Sequence, residues 1–285
     1  MKKALMGILI CAFAVLCAVP VFAQRYEFGL TWNWYDPGMD ASYTSRYAPR
    51  YLSGGTYSSL AEQTIRIKAK AISGLAAFVT WFPVSNIGVQ FMAEYLKPDF
   101  EGANTAYAYS LTYERPMPDH TTRTVSYANS MDWGPSEGDV REIVLSLNGV
   151  LRLPLTRSLS VNISGGPSYF YFERKAGFIG YTKFWTTADG ALHIQNFKLP
   201  YEFGRQNRMG FNAGGELAFH LSTAISLIGE FRYFACAKAN ATLHLTPNNV
   251  LPDPVADMES VLGLGSMKFD PSFMRYSAGV KFRFY

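Results

Sequence analysis

Apolar and polar residues alternate along most of the chain. In residues 26–34 every second residue is apolar, and the residues between them are polar or small. Successive side chains of a β-strand point to opposite faces, so this pattern predicts a strand with one apolar and one polar face. The same pattern recurs in seven further segments: residues 65–81, 87–95, 143–153, 159–171, 209–221, 225–233 and 274–284. The sequence therefore predicts an all-β protein with eight strands.

The connections between these segments alternate between short and long. Residues 83–86, 154–158 and 222–223 form short connections. The long connections are residues 35–63, 96–139, 173–207 and 235–272. Short turns at one end and long loops at the other are typical of a transmembrane antiparallel up-and-down β-barrel with periplasmic turns and extracellular loops.

The second long connection leaves the strand count open between eight and ten. It holds alternating apolar residues from Tyr107 to Tyr113, followed by a return arm over residues 121–130. The return arm lacks a continuous apolar face, which favours an extramembrane hairpin that extends strands three and four. We therefore expect eight strands, with ten as the alternative, and a further hairpin turning at residues 188–190.

The N-terminus has the features of a targeting segment. Lys2 and Lys3 precede residues 4–23, which are uncharged and mostly apolar. Small residues stand at the −3 and −1 positions before Gln24, which predicts a Sec signal peptide cleaved after Ala23. A permanent membrane anchor is the alternative, but no charged stop sequence follows. The predicted domains are the signal peptide, residues 1–23, and the barrel, residues 24–285.

The nature of the two strand faces favours a membrane barrel over a soluble β-sandwich. The polar face mixes single charges with Gly, Ser and Asn, as a crowded barrel interior requires, and the apolar face ends in aromatic residues. Aromatic girdles are typical of the two lipid–water interfaces. The predicted girdle residues are Trp34, Tyr95, Tyr171, Tyr233 and Tyr276 near the long loops, and Tyr26, Trp81, Phe219 and Phe284 near the short turns.

Composition excludes several classes of protein. Charged residues make up 17% of the chain and the formal net charge is +4. The chain therefore lacks the strong excess of basic residues that is typical of nucleic-acid-binding proteins. After removal of residues 1–23 a single cysteine remains, Cys236, which excludes an internal disulfide.

The chain resembles the small outer-membrane barrels of the OmpA/OmpX/OmpW type, in their barrel domain only. The resemblance rests on the signal peptide, on a mature chain that starts directly in a strand, on the eight alternating segments and on the ending of residues 276–285. The resemblance implies a location in the bacterial outer membrane, with lipid and lipopolysaccharide as partners. It also implies that Phe282, Phe284 and Tyr285 form the C-terminal signal read by the barrel assembly machinery. One departure is that the apolar phase ends at Phe284, with Tyr285 an extra residue.

The polar face supplies charges to the predicted lumen. Eight strands close around an interior that side chains just fill, and buried charges must pair, so we expect a salt-bridge network that plugs the barrel. A narrow or gated polar conduit is the alternative. The predicted network residues are Glu94, Glu142, Glu216, Glu230, Arg66, Lys68, Lys70, Arg232, Arg275 and Lys281.

One constellation resembles an enzyme motif. His220 and Ser222, followed by Glu230, have the residue spacing of the outer-membrane lipid A deacylases. They fall at a predicted periplasmic turn, whereas that chemistry takes place at the outer leaflet. The remaining histidines lie in loops without metal-ligand spacing. We therefore expect no enzymatic activity, no cofactor and no metal site.

Tyrosines are frequent in the first two long loops. They either form a binding surface or pack the loops together, and the sequence leaves both alternatives open. The expected role is structural or one of surface interaction: envelope integrity, adhesion, or contact with an extracellular ligand or host surface. A channel for small solutes and a lipid-modifying enzyme are the alternatives. The loop tyrosines are Tyr43, Tyr47, Tyr51, Tyr57, Tyr107, Tyr109, Tyr113 and Tyr127.

Overall fold

The computed structural model describes most of the chain after the N-terminal segment. The described ranges are residues 25–38, 40–48, 57–70, 72–97, 99–102, 104–117, 119–135, 138–187, 191–246 and 255–284. The predicted cleavage site between Ala23 and Gln24 and the last residue, Tyr285, lie outside these ranges. None of the helices in the described ranges is long and apolar enough to cross a membrane.

Eight strands form a closed antiparallel barrel, which confirms the predicted fold class. The first and last strands pair with each other, with Tyr26 opposite Phe284, and every other strand pairs with two neighbours. The barrel strands are β1 (Arg25–Pro37), β4 (Ile72–Val84), β5 (Ile87–Leu96), β9 (Gly138–Pro154), β10 (Leu159–Thr186), β11 (Leu192–His220), β12 (Ile225–Cys236) and β15 (Phe273–Phe284).

The long connections are themselves built of strands rather than irregular loops. Together with the outer parts of β10 and β11 they form an extension above one end of the barrel, which we call the crown. Its further elements are β2 (Asp40–Tyr47), β3 (Tyr57–Ala69), β6 (Asp99–Gly102), β7 (Asn104–Pro116), β8 (Thr122–Pro135), β13 (Ala239–Leu245), α1 (Val255–Leu262) and β14 (Ser266–Phe269).

The crown continues the barrel wall as a second ring of paired strands. β6 joins β9 to β3, β2 joins β3 to β14, and β13 joins β14 to β11. β10 and β11 run through both levels and remain paired as far as Thr186 and Leu192. The wall therefore extends well beyond the membrane, and the predicted hairpin of the third long connection is an extension of two barrel strands.

The hairpin of the second long connection lies outside the barrel, as expected, but its neighbour is different. β7 pairs with β8 and with β3, where Gln63 is opposite Tyr107. The prediction that this hairpin extends strands three and four, which correspond to β5 and β9, is therefore wrong. The hairpin instead pairs with β3, which precedes the second barrel strand, β4, in the chain.

The outer surface of the barrel is apolar, as a membrane-spanning wall requires. The outward-facing side chains of Leu30, Phe91, Leu147 and Leu217 are each about half exposed. A soluble barrel would bury such residues, whereas lipid is the solvent that accommodates them. Backbone groups cannot stay unpaired in hydrocarbon, and the closed ring of strands leaves no open edge.

The predicted second strand covers two elements whose faces do not match. In β3 the odd-numbered Ile65 and Ala69 are buried in the crown, while in β4 the even-numbered Phe78 and Thr80 face the lumen. The inward face thus changes from odd to even positions between the end of β3 at Ala69 and the start of β4 at Ile72.

Because of this shift, the prediction that Lys68 and Lys70 lie in the lumen is wrong. Both side chains are exposed on the outside of the crown. The backbone of Arg66 lies in β3 opposite Ser42, above the barrel and not in it, and its side chain lies outside the described residues.

The crown has a hydrophobic core of its own. Ile65, Leu111 and Leu199 have no exposed surface, and α1 contributes Met258 and Leu262, which are equally buried. Burial of an aliphatic side chain contributes about 1.5–3 kcal/mol. The crown is therefore a packed β-structure whose order does not depend on a binding partner.

Candidate functional site: the lumen and the crown core

A charged cluster fills the middle of the barrel. The guanidinium group of Arg275 donates to Glu94 on β5 and to Glu230 on β12. Arg232 donates to the other oxygen of Glu230 at 2.7 Å and also to Ser164 and Asn212. All four charged side chains are less than 9% exposed, so each carboxylate depends on protein donors rather than on water.

A second charged cluster lies nearer the short turns. Glu27 accepts from Arg283 at 2.7 Å, and its other oxygen lies 2.5 Å from Arg152 and 3.2 Å from Lys281. Lys281 also pairs with Glu216. The Cζ atom of Arg152 lies over the Phe82 ring, 3.8 Å from its centre.

Neutral side chains connect the wall between the two clusters. Asn212 donates to Asn148 at 2.8 Å, Asn148 donates to Gln90 at 3.1 Å, and Gln90 donates to Thr80 at 3.3 Å. Ser146 and Ser168 form a similar contact across β9 and β10 at 2.9 Å. Polar side chains from several strands thus hydrogen-bond to one another across the interior.

Aromatic side chains close the outer end of the lumen. The rings of Phe234 and Phe273 are stacked with centroids 4.5 Å apart, and Phe170 packs edge-on against both. Tyr35 packs against Phe273 and donates to Glu94 at 3.3 Å. This aromatic layer separates the charged lumen from the crown core.

The position of the Phe78 aromatic ring depends on a glycine. Gly29 on β1 is opposite Phe78 on β4, and the Phe78 ring covers the glycine so closely that a Cβ atom would overlap it. The ring therefore occupies lumen space that a larger residue at position 29 would take.

Glu142 is the predicted network residue that stands apart from the others. Its side chain is 1% exposed and lies beside the aromatic layer, where Leu96 and Phe172 are its cross-strand neighbours. Among the described residues no cation pairs with Glu142, and its Oε1 atom has no hydrogen-bond partner. The lumen therefore holds one carboxyl group that its ion pairs do not balance.

The predicted lumen residues thus fall into four groups, apart from Arg66, whose side chain lies outside the described residues. Glu94, Glu230, Arg232 and Arg275 meet in the central cluster, and Glu216 and Lys281 meet in the inner cluster. Glu142 is buried without a cation, and Lys68 and Lys70 lie outside the barrel. The sequence reasoning missed the aromatic layer, although runs such as Tyr169–Phe172, which are apolar on both strand faces, signal it.

The crown core contains most of the loop tyrosines. Tyr43, Tyr47, Tyr107, Tyr109 and Tyr113 are at most 8% exposed. Their burial favours packing over the alternative that they form a binding surface. Tyr127 is 39% exposed, and Tyr51 and the side chain of Tyr57 lie outside the described residues.

A chain of hydroxyl groups crosses the crown core. The hydroxyl groups of Tyr47 and Tyr107 are 2.6 Å apart, Tyr107 contacts Thr182 at 2.5 Å, and Thr182 donates to Asn196 at 2.7 Å. Burial raises the pKa of Tyr107 to about 12, and burial next to Tyr107 raises the pKa of Tyr47 well above its ordinary value. Both phenols are therefore neutral at physiological pH.

The enzyme-like constellation does not assemble. Ser222 accepts hydrogen bonds from the backbone N–H groups of Ala224 and Ile225 in the β11–β12 turn. His220 contacts Ser226 at 2.9 Å, and Glu230 is engaged in the central cluster. Within the described ranges no group of histidine, cysteine and acidic side chains could hold a metal ion.

The girdle residues lie on the outside of the barrel at its two rims. At the crown end Trp34, Tyr233 and Tyr276 are 44–50% exposed, and at the turn end Trp81, Phe219 and Phe284 are 37–50% exposed. Tyr26, Tyr95 and Tyr171 are partly exposed. The apolar wall between these two rings identifies the molecule as a transmembrane β-barrel, and an even number of antiparallel strands in one chain is typical of the bacterial outer membrane. The protein is an integral outer-membrane barrel.

Comparisons with known proteins find outer-membrane proteins among the solved structures. No family model matches the sequence, and no curated protein is similar to it. The outer membrane protein OprG from Pseudomonas aeruginosa aligns over 92% of this chain and 97% of its own, with 11% identity and a TM-score of 0.46. A major outer membrane protein from Thermus thermophilus aligns over 92% of this chain and 100% of its own, with 15% identity and the same TM-score. Ail of Yersinia pestis aligns over 92% and 100%, with 8% identity and a TM-score of 0.37.

Proposed function

We propose that this protein is a non-conducting, non-enzymatic outer-membrane barrel that holds a rigid β-structured crown at the cell surface. Its role is structural or one of surface contact. Its partners are outer-membrane lipid and lipopolysaccharide, the assembly machinery during biogenesis, and an extracellular ligand or host surface that meets the crown.

The filling of the lumen carries the first part of this proposal. Arg275 holds carboxylates from two different strands, and the aromatic layer lies directly outside this cluster. A solute would have to break buried ion pairs, which costs about 3–5 kcal/mol for each uncompensated charge, and then displace packed rings. This arrangement supports a barrel without a conduit that is open at rest.

The crown supports the second part. A continuous core of side chains links β2, β3, β7, β10 and α1, so the surface of the crown is fixed before any partner arrives. The buried tyrosines stabilise this scaffold, and its exposed face is left for contact. The disconnected positions of Ser222 and His220 support a non-enzymatic role.

Single-channel recording in planar bilayers tests the proposal. The mature chain should give no discrete openings over the voltage range in which a porin control conducts. Steady discrete openings of the folded wild-type protein would overturn the plugged barrel and favour the narrow channel.

Lipid analysis tests the non-enzymatic part separately. Lipid A from cells that express the wild type and from cells that express Ser222→Ala should have the same mass. A lipid modified only in the presence of the wild-type chain would show an enzyme.

A further inference from the structure

We infer that the crown binds a second copy of this chain on a facing membrane, through antiparallel pairing of the two β8 strands. The contact surface, which we call the β8 edge, is the side of residues 122–130 that points away from β7. This inference rests on the proposed exposure of the crown at the cell surface, and it names the partner of that surface.

Strand β8 has a neighbour on one side only. It pairs with β7 from Thr122, opposite Pro116, to Pro135, opposite Asn104, and no other strand of the described ranges pairs with it. The side chains of residues 122–130 are exposed on both strand faces, except that Val125 is partly exposed. An unpaired edge presents a row of N–H and C=O groups, to which a further strand can be added.

The β8 edge lies in the outer part of the crown. From the girdle row of Tyr95 and Tyr171, the wall runs out to Pro116 at the end of β7 but only to Thr186 at the end of β10. Residues 122–130 pair with this outer part of β7. The edge is therefore placed where another surface can reach it.

The β8 edge lacks the features that usually prevent strands from pairing. Edge strands of natural proteins commonly carry lysines, prolines or bulges that block the addition of a further strand. Residues 122–130 contain no proline and one charged residue, Arg123. The irregularity in the β7–β8 register lies between Asn104 and Ala106, outside this segment. The segment therefore has the composition and regularity of a strand with two neighbours.

The sequence of the β8 edge is complementary to itself about Ser126. In a twofold pair centred there, Val125 of one copy is opposite Tyr127 of the other, and aromatic and β-branched residues on opposite positions stabilise a sheet. Arg123 is opposite Asn129, which keeps the two arginines about 20 Å apart. On the other face the opposite pairs are Thr122 with Ser130 and Thr124 with Ala128.

The symmetry of an antiparallel pair determines that the two copies lie in facing membranes. The β7–β8 hairpin is paired to β3 in the wall of the crown, so its sheet stands upright on the membrane as the barrel wall does. Antiparallel strands of one sheet are related by a twofold axis perpendicular to that sheet, and this axis is parallel to the membrane. Rotation about it turns the second barrel upside down, and the contact is therefore made between two membranes.

Two copies in one membrane could not form the same contact. Their twofold axis is the membrane normal, so they would pair β8 in parallel and with opposite faces. The face with Tyr127 would then continue into the face with Ser126, and the complementary pairs would be lost. Pairing along a single strand edge is smaller than a standard interface, so each contact is weak. Many copies on two facing surfaces nevertheless act together.

Clustering of phosphatidylcholine vesicles that carry the full mature chain tests the inference. Two vesicle populations with different dyes are mixed, and fluorescence cross-correlation measures how many are held together; wild-type populations should cluster. Ser126→Lys places two like charges opposite each other at the twofold axis, so its clustering with itself should fall about tenfold. Ser126→Asp should also fail to cluster with itself, but mixing the Ser126→Lys and Ser126→Asp populations should restore clustering.

Ser110→Lys is the matched control. Ser110 is exposed on β7 opposite Ala128, so the substitution adds the same charge to the same sheet face, one strand away from the edge. This variant should cluster like the wild type. The heat-induced gel shift verifies that all variants fold.

Four outcomes would overturn the inference. They are no clustering of the wild type, equal loss in Ser126→Lys and Ser110→Lys, no clustering in the mixture of opposite charges, and equal clustering of the wild type with vesicles that contain no protein. A barrel that conducts would instead overturn the proposed function and leave the clustering result unchanged.

Discussion

Gln63 and Gly180 pair with each other across the crown core through both amide atoms of the glutamine side chain. The Nε2 atom of Gln63 donates to the carbonyl oxygen of Gly180 at 3.3 Å, and the N–H group of Gly180 donates to Oε1 at 2.8 Å. Gly180 lies in the part of β10 that does not pair with β9. There the Gln63 side chain makes the two backbone hydrogen bonds that a neighbouring strand would otherwise make. Tyr47 extends this contact, because the N–H group of Thr182 donates to its hydroxyl group at 3.0 Å.

We expect Gln63→Ala to loosen the crown without opening the barrel. The substitution leaves two buried backbone groups of Gly180 without partners, which costs about 2 kcal/mol. Hydrogen exchange measured by mass spectrometry should show faster exchange in peptides that contain Gly180 and unchanged exchange in β12 and β15. The exposed Gln195→Ala is the control and should exchange like the wild type. Uniformly faster exchange over the whole chain would contradict a local role.

Arg275→Met should destabilise the barrel strongly. It leaves Glu94 and Glu230 buried without their shared cation, and breaking such a pair costs about 3–5 kcal/mol. The temperature at which the folded band disappears on a semi-native gel should fall by many degrees. Arg46→Met is the control, because its partner Glu62 is 41% exposed and an exposed pair contributes about 0–1 kcal/mol. Similar losses in the two variants would show that burial does not set the strength of these pairs.

Alternation along the chain was sufficient to predict the barrel, its eight strands and its girdles. Positions such as Trp34 and Tyr276 follow from the period of two alone, because lipid faces every second residue of a strand. The central cluster was also within reach, since Glu230, Arg232 and Arg275 stand on the polar face of unbroken strands.

The crown could not be predicted in the same way. Between β3 and β4 the inward face changes from odd to even positions, so extrapolating from Thr80 places Lys68 on the wrong side of the wall. A one-residue shift moves every side chain to the other face, and no local sequence signal marks it. The pairing of β7 with β3 depends on contacts between segments far apart in the sequence, which periodicity does not encode.

We expect the substitutions Glu142→Gln and Glu94→Gln to have opposite effects on the stability of the barrel. Glu142→Gln removes a buried acid that no described cation balances, so we expect stability to be unchanged or higher by about 1 kcal/mol. Glu94→Gln removes a partner of Arg275 and should lower stability by several times that amount. Urea unfolding in lipid vesicles measures both. A large loss in Glu142→Gln would mean that this carboxyl group is balanced by a group outside the described residues.

Alkaline pH should weaken the crown before the barrel. The pKa of Tyr107 is raised by burial to about 12, against about 10 for a phenol in the unfolded chain, and that of Tyr47 is raised as well. Because the pKa of these phenols is higher in the folded than in the unfolded chain, their full contribution to the stability of the crown is present below pH 10. It is lost as the pH rises from about 10 through about 12. Absorbance of tyrosinate at high pH should show a late-ionising fraction that becomes smaller in Tyr107→Phe, with Tyr276→Phe as the lipid-facing control. Ionisation of every tyrosine together near pH 10, with the crown peptides still protected from exchange, would refute this coupling.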